Sequence, residues 1–163
     1  MPLSAKDEMI SVDDIVETSN HFRCIDLIID QAEKRLSGSM IKELHHILKE
    51  GTSDSRKDRF TVGNYKYLPN EVGGNEITAP ENVHREMKAL LSEYYSKNQK
   101  IFEDIIDLHQ RFESIHPFQN GNGGMGRLVI FKECLANGFV PFGIIDELKM
   151  YYYRSVSCFN KPM

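Results

Sequence analysis

The run Leu128–Leu135, LVIFKECL, is apolar on nearly every side of a helix (Leu128, Val129, Ile130, Phe131, Cys134 and Leu135). A helix without a polar face is stable in water only when other elements surround it. The segment Arg127–Leu135 therefore predicts a central, buried helix with the rest of the chain packed round it, closed by Asn137–Gly138. Directly before it stands HPFQNGNGGMGR, His116–Arg127, with glycines at 121, 123, 124 and 126 and nothing charged between His116 and Arg127. What so polar and flexible a stretch does beside the most apolar part of the chain is the main question the sequence poses.

The neighbouring segments also repeat at helical spacing. Phe22, Ile25, Ile29, Ala32 and Leu36 predict one helix; Ile41, Leu44 and Leu48 predict another, with Ser39 as N-cap and Gly51 as the stop. Val83, Met87, Leu90, Leu91 and Tyr94 mark a third over 83–95, with Pro80 and Glu81 suited to its first turn. Ile101, Ile105, Leu108 and Phe112 mark a fourth, ending before the His116–Pro117 step. A last helix is predicted from about Asp146 to Ser157. Residues 51–79 differ: RFTVGNYKYL and EVGGNEIT read as short strands round loops. The result is a single helical domain over 1–163 with one hairpin-like excursion.

Bulk properties narrow the function. A length of 163 residues with 40% hydrophobic and 27% charged residues suits one soluble core, and a net charge of −4 lacks the basic excess of a general nucleic-acid binder. No apolar run approaches the roughly 20 residues needed to span a bilayer, and MPLSAKDEM lacks the pattern of a signal peptide. Cys24, Cys134 and Cys158 are odd in number and widely spaced, which points to small apolar fillers in a reducing, cytoplasmic setting.

The glycine stretch has a definite chemical use. Where it opens a helix, backbone N–H groups and the positive helix end form an anion site, and Gly121, Gly123, Gly124 and Gly126 let a phosphate approach without Cβ clashes. Arg127 can reach a phosphate oxygen, and Asn122 can hold the loop by bonding to its backbone. His116 titrates near neutrality and is suited to take a proton from an attacking hydroxyl. Phe118 would point into the core. Together these residues suggest phosphoryl or nucleotidyl transfer.

IHPFQNGNGGMGRL resembles the Fic signature HPFx[D/E]GNGRxxR at His116, Pro117, Phe118, Gly121, Asn122, Gly123 and Arg127. LHQRFESIHPF, ELHHILKEG, GNYK and VGG resemble further Fic segments, so the likeness covers nearly the whole chain. The resemblance implies an all-α, Fic-type helical bundle with a small β-hairpin flap at about 60–79 and an active-site loop at 116–127. It implies protein adenylyltransferase activity, with AMP moved from ATP to a Ser, Thr or Tyr hydroxyl of a target protein. His116 would be the general base, Gly121–Gly123 the phosphate cradle and Arg127 a phosphate contact. Val72, Gly73 and Gly74 would hold an extended target segment, and Tyr152, Tyr153 and Asn160 would surround the adenine.

Two positions depart from the signature. Asn120 stands where the family keeps a carboxylate for Mg²⁺, and Gly124 stands where it keeps its first arginine. Asparagine offers a neutral oxygen to a hard cation, and losing an arginine beside a polyphosphate removes bonds worth roughly 1.5–3 kcal/mol each. These departures keep two alternatives open: a catalytically degenerate nucleotide- or protein-binding module, and transfer of a different phosphate-containing group. The family's inhibitory motif, [S/T]xxxE[G/N], has no clean copy. Ser19 is followed by Arg23 at the glutamate position and Ser4–Glu8 by Met9, which leaves inhibition to a partner protein or to sequence beyond Met163. His45 and His46 diverge by about 100° on a helix and read as surface or half-buried residues. His109 reads as a packing residue, Tyr151–Tyr153 equally as core and rim aromatics, and Asp54–Arg59 as a solvated loop.

Overall fold

The computed structural model describes residues 11–70, 72–74 and 76–140. Among these, five α-helices form the domain: α1 (Val12–Asp30), α2 (Gly38–Lys49), α3 (Pro80–Ser96), α4 (Phe102–Ile115) and α5 (Asn122–Ala136). The all-α class is as expected. The helix predicted over 146–157, Cys158 and the residues Tyr152, Tyr153 and Asn160 lie outside the described residues.

α5 is the central element. α4, α1 and α2 pack against it, α2 also packs on α1, and α3 packs on α4. Met125, Leu128, Val129, Ile130 and Cys134 are almost fully buried. Two charged residues share that burial because each is matched. Lys132 donates to the Ala32 and Lys34 carbonyls, and Glu133 accepts from the hydroxyls of Tyr94 (3.0 Å) and Tyr95 (2.5 Å). α5 also starts earlier than its apolar run suggested, at Asn122, so Gly123, Gly124 and Gly126 are helical. Glycine is a poor helix former, but here it permits close packing. A methyl group at Gly126 would overlap the Glu113 carboxylate and the His109 ring of α4.

α1 corrects one sequence expectation. It begins at a Ser11–Asp14 capping box and ends before Ala32 and Leu36. Its inner residues are Asn20, Cys24 and Ile28, whereas Phe22 and Ile29 are 64% and 55% exposed. The face is set by Asn20, which is buried because its amide donates to the carbonyls of Leu48 (3.0 Å) and Glu50 (2.7 Å) at the end of α2. α2 buries Met40, Ile41, Leu44, His45 and Leu48. Its N-cap is Ser37, whose hydroxyl accepts from Met40 N–H at 3.2 Å, and not Ser39. Gly51, at φ +75°, turns the chain out of it.

Residues 51–79 hold two short 3₁₀ turns, Ser53–Arg56 and Asp58–Phe60. The strand expected over RFTVGNYKYL does not form. Phe60 closes the second turn and the chain onward to Asn70 is irregular. Its backbone bonds run to α2 and to the loop before α5, not to a sheet partner: Gly63 N–H donates to His45 Nδ1 and Lys66 N–H to Pro117 O, each at 2.9 Å. Val72 enters an isolated β-bridge, followed by a turn at Gly73 and Gly74 with both at positive φ. Among the described residues no helix is long and apolar enough to cross a membrane.

Candidate active site

The loop between α4 and α5 is shorter than 116–127. It runs from His116, the C-cap of α4, to Gly121, the N-cap of α5. His116 adopts the left-handed conformation (φ 52°, ψ 61°) and its N–H still bonds to Phe112 O at 3.0 Å. Such a backbone costs a histidine about 1 kcal/mol or more, so the surroundings must impose it. They do so through Phe118 and Asn122. Phe118 is fully buried and stacks on the His45 ring at 3.9 Å. Asn122, also buried, takes Phe118 N–H on its carbonyl oxygen (2.9 Å) and gives its amide to Phe118 O (2.7 Å). The loop-holding role read for Asn122 and the core position read for Phe118 are both observed.

His116 is half-buried, and its Nδ1 is buried with no hydrogen-bond partner among the described residues. Burial lowers its affinity for a proton, the Lys66 charge lowers it further, and Glu113 opposes them. A neutral imidazole with an unengaged nitrogen is the state a general base requires.

The N-terminus of α5 faces the other way out of the loop. Gly121 has φ +85°, which favours glycine. The N–H groups of Asn122, Gly123 and Gly124 fall in the first turn, where no intrahelical acceptor exists. Arg127 lies in the second turn, not the first, yet its guanidinium folds back over that end. Its nitrogens are 3.7 Å and 3.9 Å from where side chains at Gly123 and Gly124 would begin. Arg127 and Gly124 line a cavity of about 370 Å³ with Asp14, Glu17, Thr18, His21 and Phe22 of α1 and Leu48 of α2. Burial and then the Arg127 charge lower the proton affinity of His21.

Asn120 is exposed and already engaged. Its side-chain oxygen accepts Gly121 N–H at 2.8 Å, its amide donates to Asp54 Oδ2 at 2.7 Å, and its main-chain oxygen meets His45 Nε2 at 2.8 Å. Asp54 in turn pairs with the buried Lys49, as does Glu17, each at 3.2 Å. A divalent ion at Asn120 would find one neutral oxygen already used and a neighbouring carboxylate neutralised by Lys49. Among the described residues no cluster of three His, Cys, Asp or Glu side chains is arranged to hold a metal. These donors do not fit a resident Mg²⁺.

Sequence reasoning missed His45, Lys49, Asp54 and Glu17. His45 is buried, not a surface residue, and its Nδ1 also accepts Gly63 N–H at 2.9 Å. Asp54 is half-buried although Arg56–Arg59 are exposed, as a solvated loop would be. His46 is exposed, and His109 is buried, 3.4 Å from Glu113. Of the flap residues, Val72, Gly73 and Gly74 are all exposed. Asn70, just before them, donates to the carbonyls of Phe118 (3.2 Å) and Gln119 (3.4 Å) and so ties this segment to the loop.

The chain matches the model of the Fic/DOC family over residues 35–133, more than half its length. It is 28% identical over 102 residues to a protein of Nematostella vectensis named protein adenylyltransferase Fic, covering 61% of this chain and 24% of that protein. Among solved structures, a Fic domain containing signaling protein from Bacteroides thetaiotaomicron superposes with a TM-score of 0.78 at 26% identity, over 91% of this chain and 58% of that one. Fic-1 from C. elegans superposes with a TM-score of 0.71 at 20% identity, over 98% of this chain and 47% of that one, and supports the fold alone. The chain thus spans about a quarter of the curated relative and about half of these solved chains.

Proposed function

The chain belongs to the Fic/DOC family, and on that premise we propose that it is a protein adenylyltransferase, moving AMP from ATP to a hydroxyl of a target protein. The observation that carries this reading is the pairing of two devices across one short loop. An open helix N-terminus lies under the Arg127 guanidinium, and a half-buried histidine sits at the loop's other end.

In this reading the ATP phosphates lie on the N–H groups of Asn122, Gly123 and Gly124, with Arg127 bridging their oxygens. His116 accepts the hydroxyl proton as the hydroxyl oxygen attacks the α-phosphorus. The new O–P bond forms, the α–β phosphoanhydride bond breaks, and pyrophosphate leaves, its charge held by the helix end and Arg127. The exposed backbone at Val72–Gly74 holds the target segment by strand-like pairing. Tyr152, Tyr153 and Asn160 are assigned to the adenine by resemblance only.

Incubation with ATP labelled at the α- or the γ-phosphate, with candidate proteins, tests the reading. Label should transfer from the α-phosphate only, and His116→Ala should lower the rate about 100-fold or more. Transfer from the γ-phosphate would indicate phosphoryl transfer, and undiminished transfer by His116→Ala would refute the assigned base.

Asn120 and Gly124 favour a second reading, a module that binds nucleotide or protein with catalysis lost. Asn120→Asp with Gly124→Arg discriminates. Arginine suits the helical backbone at 124, but its Cβ would sit 3.1 Å from Leu48 Cδ2, so Leu48 must yield slightly. A gain in transfer of tenfold or more identifies these positions as what limits the chemistry; no gain removes them as the cause.

A further inference from the structure

Lys66 is only 3% exposed, yet among the described residues no carboxylate lies within ion-pair distance of it. A buried ammonium held by neutral oxygens alone is costly. Among the described residues its hydrogen bonds lead to one place. The Lys66 N–H donates to Pro117 O at 2.9 Å, and its ammonium donates to Asn70 Oδ1 at 2.8 Å. The Asn70 amide then reaches Phe118 O and Gln119 O. Lys66 and Asn70 thus engage the carbonyls of all three residues that follow His116. On the reading that His116 is the general base, we propose that Lys66 is a positioning residue for it: the buried ammonium, through Asn70, fixes the chain after His116 and places a positive charge near the imidazole.

Asn122 restrains the strained His116 backbone from the α5 side by holding Phe118, and Lys66 and Asn70 complete the restraint by holding Pro117, Phe118 and Gln119. The fixed charge has a separate effect. The charged groups acting on His116 are Lys66, from the segment before α3, and Glu113 of α4. Glu86 of α3 acts on Lys66 in turn, and its carboxylate is engaged by Thr78. Lys66 disfavours the imidazolium and so keeps the base bare to lower pH.

The test is a pH titration of His116 by NMR with ¹³C-labelled histidine, alongside transfer kinetics. Removing the charge in Lys66→Met should raise the His116 midpoint by roughly half a pH unit or more. The acidic limb of the rate profile should move up with it, whereas Lys66→Arg should leave both in place. Asn70→Ala keeps the charge and loses the tether, so kcat should fall about tenfold or more with the KM for ATP unchanged. If Lys66→Met does not fold, Lys66→Gln, which keeps a polar group for Asn70, is read in the same way. An unmoved titration in the charge-free variant, or an unchanged kcat in Asn70→Ala, overturns the proposal. Loss of transfer in His116→Ala together with an unmoved titration sinks the role of Lys66 alone. Persistent transfer in His116→Ala sinks the underlying reading instead.

Discussion

His45 shows how much one side chain can set. Its Nε2–H is matched to Asn120 O and its Nδ1 to Gly63 N–H, so the neutral ring is fully satisfied. A second proton would set N–H against N–H at Gly63. Burial is the largest cause of its low proton affinity, the charges of Lys49 and His46 add to it, and the Asn120 bond and Asp54 oppose it; the pKa is pushed down to about 4. An unfolded histidine binds its proton near pH 6.5. Between pH 6.5 and about 4 the unfolded chain therefore holds a proton that the folded chain refuses. This contribution to stability is intact above pH 6.5 and lost progressively towards pH 4, by at most about 3 kcal/mol. His21 and His116, both lowered, act in the same direction. Urea midpoints measured at pH 7 and pH 4.5 should fall steeply, and His45→Gln should flatten the dependence. His45 was legible, since Ile41, Leu44, His45 and Leu48 lie on one helical face. Reading it together with His46 as surface or half-buried overlooks that stripe. Asn20 was not legible, because it is buried for hydrogen bonds that hydrophobic periodicity does not register.

Among the elements, α5 joins fold to site. Its apolar run located it, but its start was hidden because three glycines in its first two turns look like loop. Their value is in packing and access, which propensity does not encode. The two kinds can be separated by substitution. Gly126→Ala should destabilise the domain by about 1–3 kcal/mol, because the methyl meets His109 and Glu113. Gly123→Ala meets nothing closer than the mobile Arg127 end at 3.7 Å. It should be neutral or stabilise by up to about 1 kcal/mol, from helix propensity. Thermal melts of the two variants check this, and equal Tm values would mean that α4 and α5 do not need the close approach. The expected strands near residues 60–70 failed for a related reason. Their alternating residues have no sheet to join, and Lys66 N–H and the Asn70 side chain instead serve the loop at Pro117–Gln119.

For the whole molecule, the architecture was the most legible part. Helical spacing located the five described helices, although for α1 it chose the wrong face and ran past the helix end, and the HPF…GNG…R pattern located the loop between the last two. The long-range links were not legible: Lys66 and Asn70 to the loop, Asp54 to Asn120, Glu17 to Lys49. Each joins residues far apart in sequence, and nothing local records the pairing. A phosphate cradle at the N-terminus of α5 can be tested apart from turnover. Amide NMR spectra would be followed during titration with ATP and, separately, with adenosine. ATP should shift the amides of Gly121, Asn122, Gly123 and Gly124 and the Arg127 side chain, adenosine should leave them largely in place, and Arg127→Ala should weaken the ATP response. Equal shifts with adenosine, or ATP shifts confined to other parts of the chain, would mean that the α5 N-terminus does not hold the phosphates.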